Sequence, residues 1–323
     1  MQLPNRRMIG VASGALVFLT ACGGNSSNLA EPEPTKSASP LTSSPSSSSG
    51  QPLTPTASAS DADTEAALPR IALPVESGAT VEGLIDIDGH DIYARCAGKG
   101  APTIIYFTGW APDPSKRGVE AAAGIERAAA DRHRICSYER RNTGRSESVS
   151  GTQSPADVVG DIDGVFHELG EEGPFVLLGA SFGGLIAGAY TVAHPDRVAG
   201  VLLLDSSITD DYFIDKIHGF TGACLPQNRD ADAHDSLEKL DNCRLSKWAY
   251  HRRGHEPQVP LIYLASTDPS EREPIADDKY RKRFVARWSP GVWKLVGAPH
   301  YMDESDPQLV EQNLQKVIDL AER

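Results

Sequence analysis

The sequence predicts an α/β fold with a mostly parallel central sheet and helices on both faces. Two observations carry that prediction. Short apolar runs of strand length alternate with helical patterns from about Ala66 to Arg323, the signature of βαβ units. One of those runs, Phe175-Val176-Leu177-Leu178, leads directly into Gly179-Ala180-Ser181-Phe182-Gly183 and then into a small-residue helix. This G-x-S-x-G spacing marks a turn so sharp that the serine Oγ stands exposed above the sheet. A side chain at Gly179 or Gly183 would collide with the neighbouring strand and helix.

The elements follow in order. Thr80–Ile87 and Asp91–Cys96 form a hairpin about Asp88-Gly89, a dipeptide suited to a primed turn. Thr103–Phe107 is a buried strand, followed by an alanine-rich helix from about Gly118 to Asp131 and a strand from Arg134 to Tyr138. Ser154 caps, and Pro155 opens, a helix that runs to about Leu169. After the serine turn and its helix, which His194-Pro195 ends, come the strand Val198–Leu204 and an irregular stretch from Ser206 to Gln258. The strand Leu261–Ala265, a helix near Asp277–Trp288, the strand Val292–Val296 and a last helix, Pro307–Glu322, complete the domain.

The first 65 residues read differently. Arg6 and Arg7 precede a short apolar stretch from Met8 to Leu19, and Leu19-Thr20-Ala21-Cys22 closes it. The stretch is too short to span a bilayer, so residues 1–21 read as a signal peptide. Leu-Thr-Ala-Cys resembles a bacterial lipobox, which implies that Cys22 is lipidated and that the protein is exported and anchored to the outer face of the cell membrane. The paired arginines resemble a twin-arginine signal, and the export route stays open. Residues 22–65, rich in Ser, Pro and Thr, cannot offset the entropy of folding and are expected to form a disordered tether. A flexible coil of that length reaches on the order of 35 to 40 Å.

The formal charge of -13 argues against a nucleic-acid partner. Arg140, Arg141 and Arg145 cluster in one loop, where they face solvent or pair with carboxylates. H-E-x-x-H, C-x-x-C, G-x-x-x-x-G-K-[ST] and G-x-G-x-x-G are all missing from the sequence, so neither a metal nor a nucleotide cofactor is expected. Four cysteines besides Cys22 allow three pairings.

Four segments carry a resemblance to the α/β-hydrolase family: Gly179 to Gly183; Thr108-Gly109-Trp110, where relatives show His-Gly-X; Tyr138 to Ser146, similar to Tyr-Asp-Arg-x-Gly-x-Gly-x-Ser; and Pro299-His300-Tyr301 after the last strand. Glu139 and Asn142 depart from that pattern, although Asn tolerates the left-handed backbone that Gly would supply.

The resemblance implies Ser181 as nucleophile, His300 as general base and Asp268, just beyond a strand, as the acid that orients the histidine. Asp205 is the alternative acid, since some relatives place it there. It also implies an oxyanion hole from the backbone N–H groups of Trp110 and Phe182, with Asp303 shaping the histidine loop. The family sheet sets its second strand beside its fourth. That arrangement implies a Cys96–Cys136 disulfide, leaving Cys224 to pair with Cys243 inside a cap insertion of about residues 206–258.

A small-molecule or lipid ester, cleaved through an acyl-enzyme, is the substrate the resemblance implies first. An aminopeptidase of the proline-iminopeptidase kind would instead use cap carboxylates to hold an amine, and a binding lipoprotein would keep the fold without catalysis. Serine at the turn disfavours epoxide hydrolases and haloalkane dehalogenases, which carry aspartate there.

Overall fold

A computed structural model describes residues 67–110, 118–219, 224, 238–268 and 278–323. The signal peptide, Cys22 and the tether lie outside the described residues. So do Phe220, Asp230, Asp232 and Asp235 of the insertion.

Eight strands form one sheet: β1 (Val81–Ile87), β2 (His90–Ala97), β3 (Ile104–Phe107), β4 (Ile135–Tyr138), β5 (Phe175–Ala180), β6 (Val198–Leu204), β7 (Leu261–Ser266) and β8 (Gly291–Val296). Their order across the sheet is β1-β2-β4-β3-β5-β6-β7-β8. β2 runs antiparallel to both β1 and β4, and every other pair is parallel. The β1–β2 turn has φ of 53° at Asp88 and 82° at Gly89, the doubly left-handed geometry that the dipeptide predicts.

Period-two alternation divides the core between the two faces. Phe175, Leu177, Val201, Leu203 and Tyr263 point into one apolar cluster, while Val176, Leu178, Leu202, Leu204 and Ile262 point into the other. This explains why the central strands read as unbroken apolar runs. The first face is covered by α2 (Pro155–Glu168) and α3 (Gly183–Ala193), the second by α1 (Ala123–Ala129) and α8 (Pro307–Ala321). The predicted helix from Gly118 begins instead as a 3₁₀ turn, Val119–Ala122, which precedes α1.

α2 starts on a capping box in which Ser154 and Asp157 exchange side-chain and backbone hydrogen bonds. β2 and β4 bring Cys96 directly opposite Cys136, and the two are disulfide-bonded; Cys224 and Cys243 form the second bond.

The stretch from Ser206 to Gln258 is more regular than its sequence predicts. It holds α4 (Asp211–His218) and α5 (Asn242–Tyr250) among its described residues. Asp241 caps α5 by accepting from the Arg244 N–H at 2.7 Å, and Gly219, at φ 66°, ends α4. Both helices borrow a core: Ile214, Leu245 and Ala249 join the same cluster as the first face of the sheet. Polar composition hides such helices, because tertiary burial rather than their own periodicity supports them. The described residues also hold α6 (Asp278–Val285), shorter than expected, and the one-turn α7 (Met302–Ser305).

Candidate active site

The serine turn is built as its glycines require. Ser181 has φ of 50°, a left-handed conformation that costs a non-glycine residue of order 1–3 kcal/mol. A Cβ on Gly183 would sit 2.0 Å from the Phe107 carbonyl oxygen, and one on Gly179 would sit 2.7 Å from Gly184 Cα. Gly184, which the motif does not single out, is equally constrained: its Cβ would meet Ser206 Cβ at 2.3 Å. The Ser206 hydroxyl in turn donates to the Gly179 carbonyl at 2.7 Å, tying the end of β6 to the turn.

Register fixes what stands beside the serine. Ala180 pairs with Leu204, so Ser181 and Asp205 are the next residues off two adjacent parallel strands. The Ser181 N–H donates to the Leu204 carbonyl at 3.0 Å. Asp205 is also left-handed, with φ of 41°. Its N–H donates to the Leu264 carbonyl at 2.7 Å, and its Oδ1 accepts the Ser266 N–H at 3.2 Å.

His300 closes the constellation. Its Nδ1 lies 2.8 Å from Asp205 Oδ2 and its Nε2 lies 2.9 Å from Ser181 Oγ. An ionised carboxylate can only accept, so Nδ1 carries the proton and Nε2 is left to accept the serine hydroxyl. The expectation that Asp268 orients the histidine is therefore corrected to Asp205. The reason is local: with φ of 41° and its Oδ1 held by the Ser266 N–H, Asp205 turns Oδ2 onto the imidazole, whereas Asp268's N–H caps onto Ser266 Oγ at 3.1 Å.

The loop that carries His300 is anchored on both sides. Ser266 Oγ donates to the Ala298 carbonyl at 2.6 Å, and the fully buried Asp303 accepts the Tyr106 hydroxyl, as expected of a residue that shapes this loop.

Phe182 is the N-cap residue of α3, so its N–H precedes the first intrahelical bond. Trp110 ends the described part of the loop after β3. Arg140 holds that loop, donating to the carbonyls of Thr108 at 2.9 Å and Gly109 at 3.1 Å while pairing with Glu238 at 2.6 and 2.7 Å. The other two clustered arginines also pair with carboxylates, Arg141 with Asp161 and Arg145 with Glu139. Glu139 additionally accepts the Val119 N–H, and Asn142 adopts φ of 66°, so both departures from the family pattern are accommodated.

Near Asp205 stand Tyr263 and Arg281, which gave no sequence signal, and Asp211, one of the acids of the insertion. The Tyr263 hydroxyl and the Arg281 guanidinium donate to the Ser206 carbonyl at 2.7 and 3.4 Å. Burial pushes the nearby Asp211 carboxyl up to about 7, against the opposing pull of Arg281.

Among the described residues, Cys96, Cys136 and Glu171 have metal-ligand spacing. The two sulfurs are joined to each other and Glu171 pairs with Arg134, so this group offers no thiolate.

A family model described as alpha/beta hydrolase fold matches residues 102–301. No curated protein matches the sequence. Among solved structures, Cfl2 from Burkholderia cenocepacia is 16% identical with a TM-score of 0.54, covering 73% of this chain and 94% of its own. The enol-lactonase from Burkholderia xenovorans LB400 is 16% identical with a TM-score of 0.51, covering 73% of this chain and 99% of its own. A loop variant of a haloalkane dehalogenase from Bradyrhizobium elkanii is 12% identical with a TM-score of 0.54, covering 75% and 97%. At these identities the likeness is one of fold.

Proposed function

The chain belongs to the α/β-hydrolase family, and from that premise we propose that it is a serine hydrolase that cleaves a carboxylic ester of a small or lipid-like substrate. The observation that carries the reading is the unbroken relay from Asp205 through His300 to Ser181, with links of 2.8 and 2.9 Å. A serine hydroxyl is a poor nucleophile until a base removes its proton during attack. In this reading His300 Nε2 takes that proton as Oγ bonds to the acyl carbon. Asp205 stabilises the imidazolium, and the proton passes to the departing alkoxide oxygen. Water then repeats the sequence on the acyl-enzyme and frees Ser181. Backbone N–H groups of Phe182 and Trp110 are the donors proposed for the oxyanion, each typically worth about a hundred- to a thousandfold in rate.

The ester is favoured over an aminoacyl amide by how the insertion's acids are used. Every described carboxylate there has a protein partner. Asp210 and Glu256 pair with Arg287, and Glu238 with Arg140; Asp211, Asp215 and Asp241 accept backbone N–H groups. An aminopeptidase needs at least one such group held for the substrate's ammonium. On the separate ground of Leu19-Thr20-Ala21-Cys22, we also propose that the protein is an exported lipoprotein, anchored at Cys22 and tethered by residues 22–65.

Labelling with a fluorophosphonate tests the activated serine, and a paired panel of acyl esters and aminoacyl amides tests the substrate class. The reading predicts labelling lost in Ser181→Ala and faster turnover of esters. Faster turnover of amides with a free amine would overturn the ester assignment, and no labelling of folded protein would overturn catalysis.

A further inference from the structure

Asn242 to His255 holds Arg244, Lys247, Arg252 and Arg253, with His251 and His255, and no carboxylate, in a chain of formal charge -13. Within it, Arg244, Lys247, Trp248 and His251 fall at i, i+3, i+4 and i+7, so they share one face of α5, while Leu245, Ser246 and Ala249 bury the opposite face. Arg244, Lys247, His251, Arg252 and Arg253 are exposed.

Among the described residues, none of Arg244, Lys247, Arg252 and Arg253 forms an ion pair with a carboxylate, although Arg244 lies close enough to Asp157 to attract it. Three of them lie over aromatic rings instead: Lys247 5.9 Å from Tyr212, Arg252 4.0 Å from Trp248 and Arg253 3.7 Å from Tyr250. A groove of about 470 Å³ runs between this face and the start of α2, lined by Pro155, Ala156, Arg244, Lys247, Trp248 and Arg252 among others. Like charges three residues apart on a helix repel, so the arrangement weakens α5 on its own and is relieved by an external anion.

We propose that this face of α5 docks on the anionic surface of a lipid bilayer. Cations attract acidic headgroups, and Trp248, half-buried against the core, holds Arg252 over its ring at the edge of this face. The acidity of the rest of the chain does not oppose this, because charges are screened beyond about 8 Å at physiological salt and only the facing surface is felt. A bilayer is favoured over a soluble acidic partner because an anchor at Cys22 would hold the domain within tether reach of one. The proposal rests on the anchored reading for that proximity alone.

The test uses the full chain as Cys22→Ser, which cannot be lipidated, in co-sedimentation with vesicles of phosphatidylglycerol mixed with phosphatidylcholine, or of phosphatidylcholine alone. The expected result is binding to the anionic vesicles only, lost at about 0.5 M salt as screening predicts. Adding Arg244→Gln and Lys247→Gln should lower partitioning roughly tenfold or more, and so should Arg252→Gln with Arg253→Gln. An unchanged circular dichroism spectrum and melting temperature show that these variants are folded.

Equal binding to both vesicle types, or partitioning indifferent to the substitutions, would overturn the proposal. So would capture by a soluble polyanion such as heparin with no vesicle binding. Mass spectrometry of residue 22 in the wild-type protein tests the anchor separately, so failure of one reading is distinguishable from failure of the other.

Discussion

Ser181 and Asp205 both hold left-handed backbone at the ends of neighbouring strands, and each is fixed there by a hydrogen bond from its own N–H to the next strand. That pairing makes the acid assignment sharply testable. Asp205→Asn should lower kcat/KM by about 10³–10⁴-fold, while Asp268→Asn, which leaves the 2.8 Å link from Asp205 to the imidazole intact, should lower it far less; steady-state kinetics on one ester decides between them. Ser181→Ala should abolish turnover with the melting temperature nearly unchanged, since alanine fits the turn. Two aspartates follow buried parallel strands, Asp205 directly after Leu204 and Asp268 two residues after Ser266, and a linear sequence does not say which of them turns its carboxylate onto the imidazole. The left-handed backbone of Asp205 and its bond from the Ser266 N–H decide it. Asp211 gives a pH signature. Its carboxyl rises from 3.8 to about 7 on folding, so between those values the folded protein keeps a proton that the unfolded chain releases. Its contribution is therefore least destabilising below about 3.8 and worsens as pH rises through about 7. Thermal melts of wild type and Asp211→Asn should diverge across that window, by on the order of 4 kcal/mol at most, with the variant the more stable at neutral pH.

α4 and α5 show why element boundaries were less legible than the motifs. The capping box at Ser154, the primed turn at Asp88-Gly89 and the serine turn rely on contacts within a few residues, so the sequence displays them. α5 instead depends on Leu245 and Ala249 reaching a core contributed by distant strands, and its one local signal is Asp241 at the cap. The insertion is fastened to the domain by the Arg140–Glu238 pair, in which both side chains are 5% exposed or less. Glu238→Ala strands a buried guanidinium and should cost about 3–5 kcal/mol, measured by denaturant unfolding. It should also slow turnover, because the same guanidinium holds the loop leading to Trp110. Replacing Cys224 and Cys243 with serine reopens a loop of 19 residues and should cost about 3 kcal/mol on the chain-entropy account.

Across the whole domain, sheet topology distributes the site unevenly. Ser181 and Asp205, the proposed nucleophile and acid, and both proposed oxyanion donors come from the ends of β3, β5 and β6 at the centre of the sheet, whereas the His300 imidazole arrives on the loop after β8. β8 pairs only with β7, and none of its residues is fully buried. The proposed base is thus borne by the most easily frayed margin of an otherwise solid scaffold, and local opening there needs far less free energy than global unfolding. Warming should silence the enzyme reversibly some degrees before circular dichroism records any melt. Coincident loss of activity and ellipticity would show instead that margin and centre come apart together.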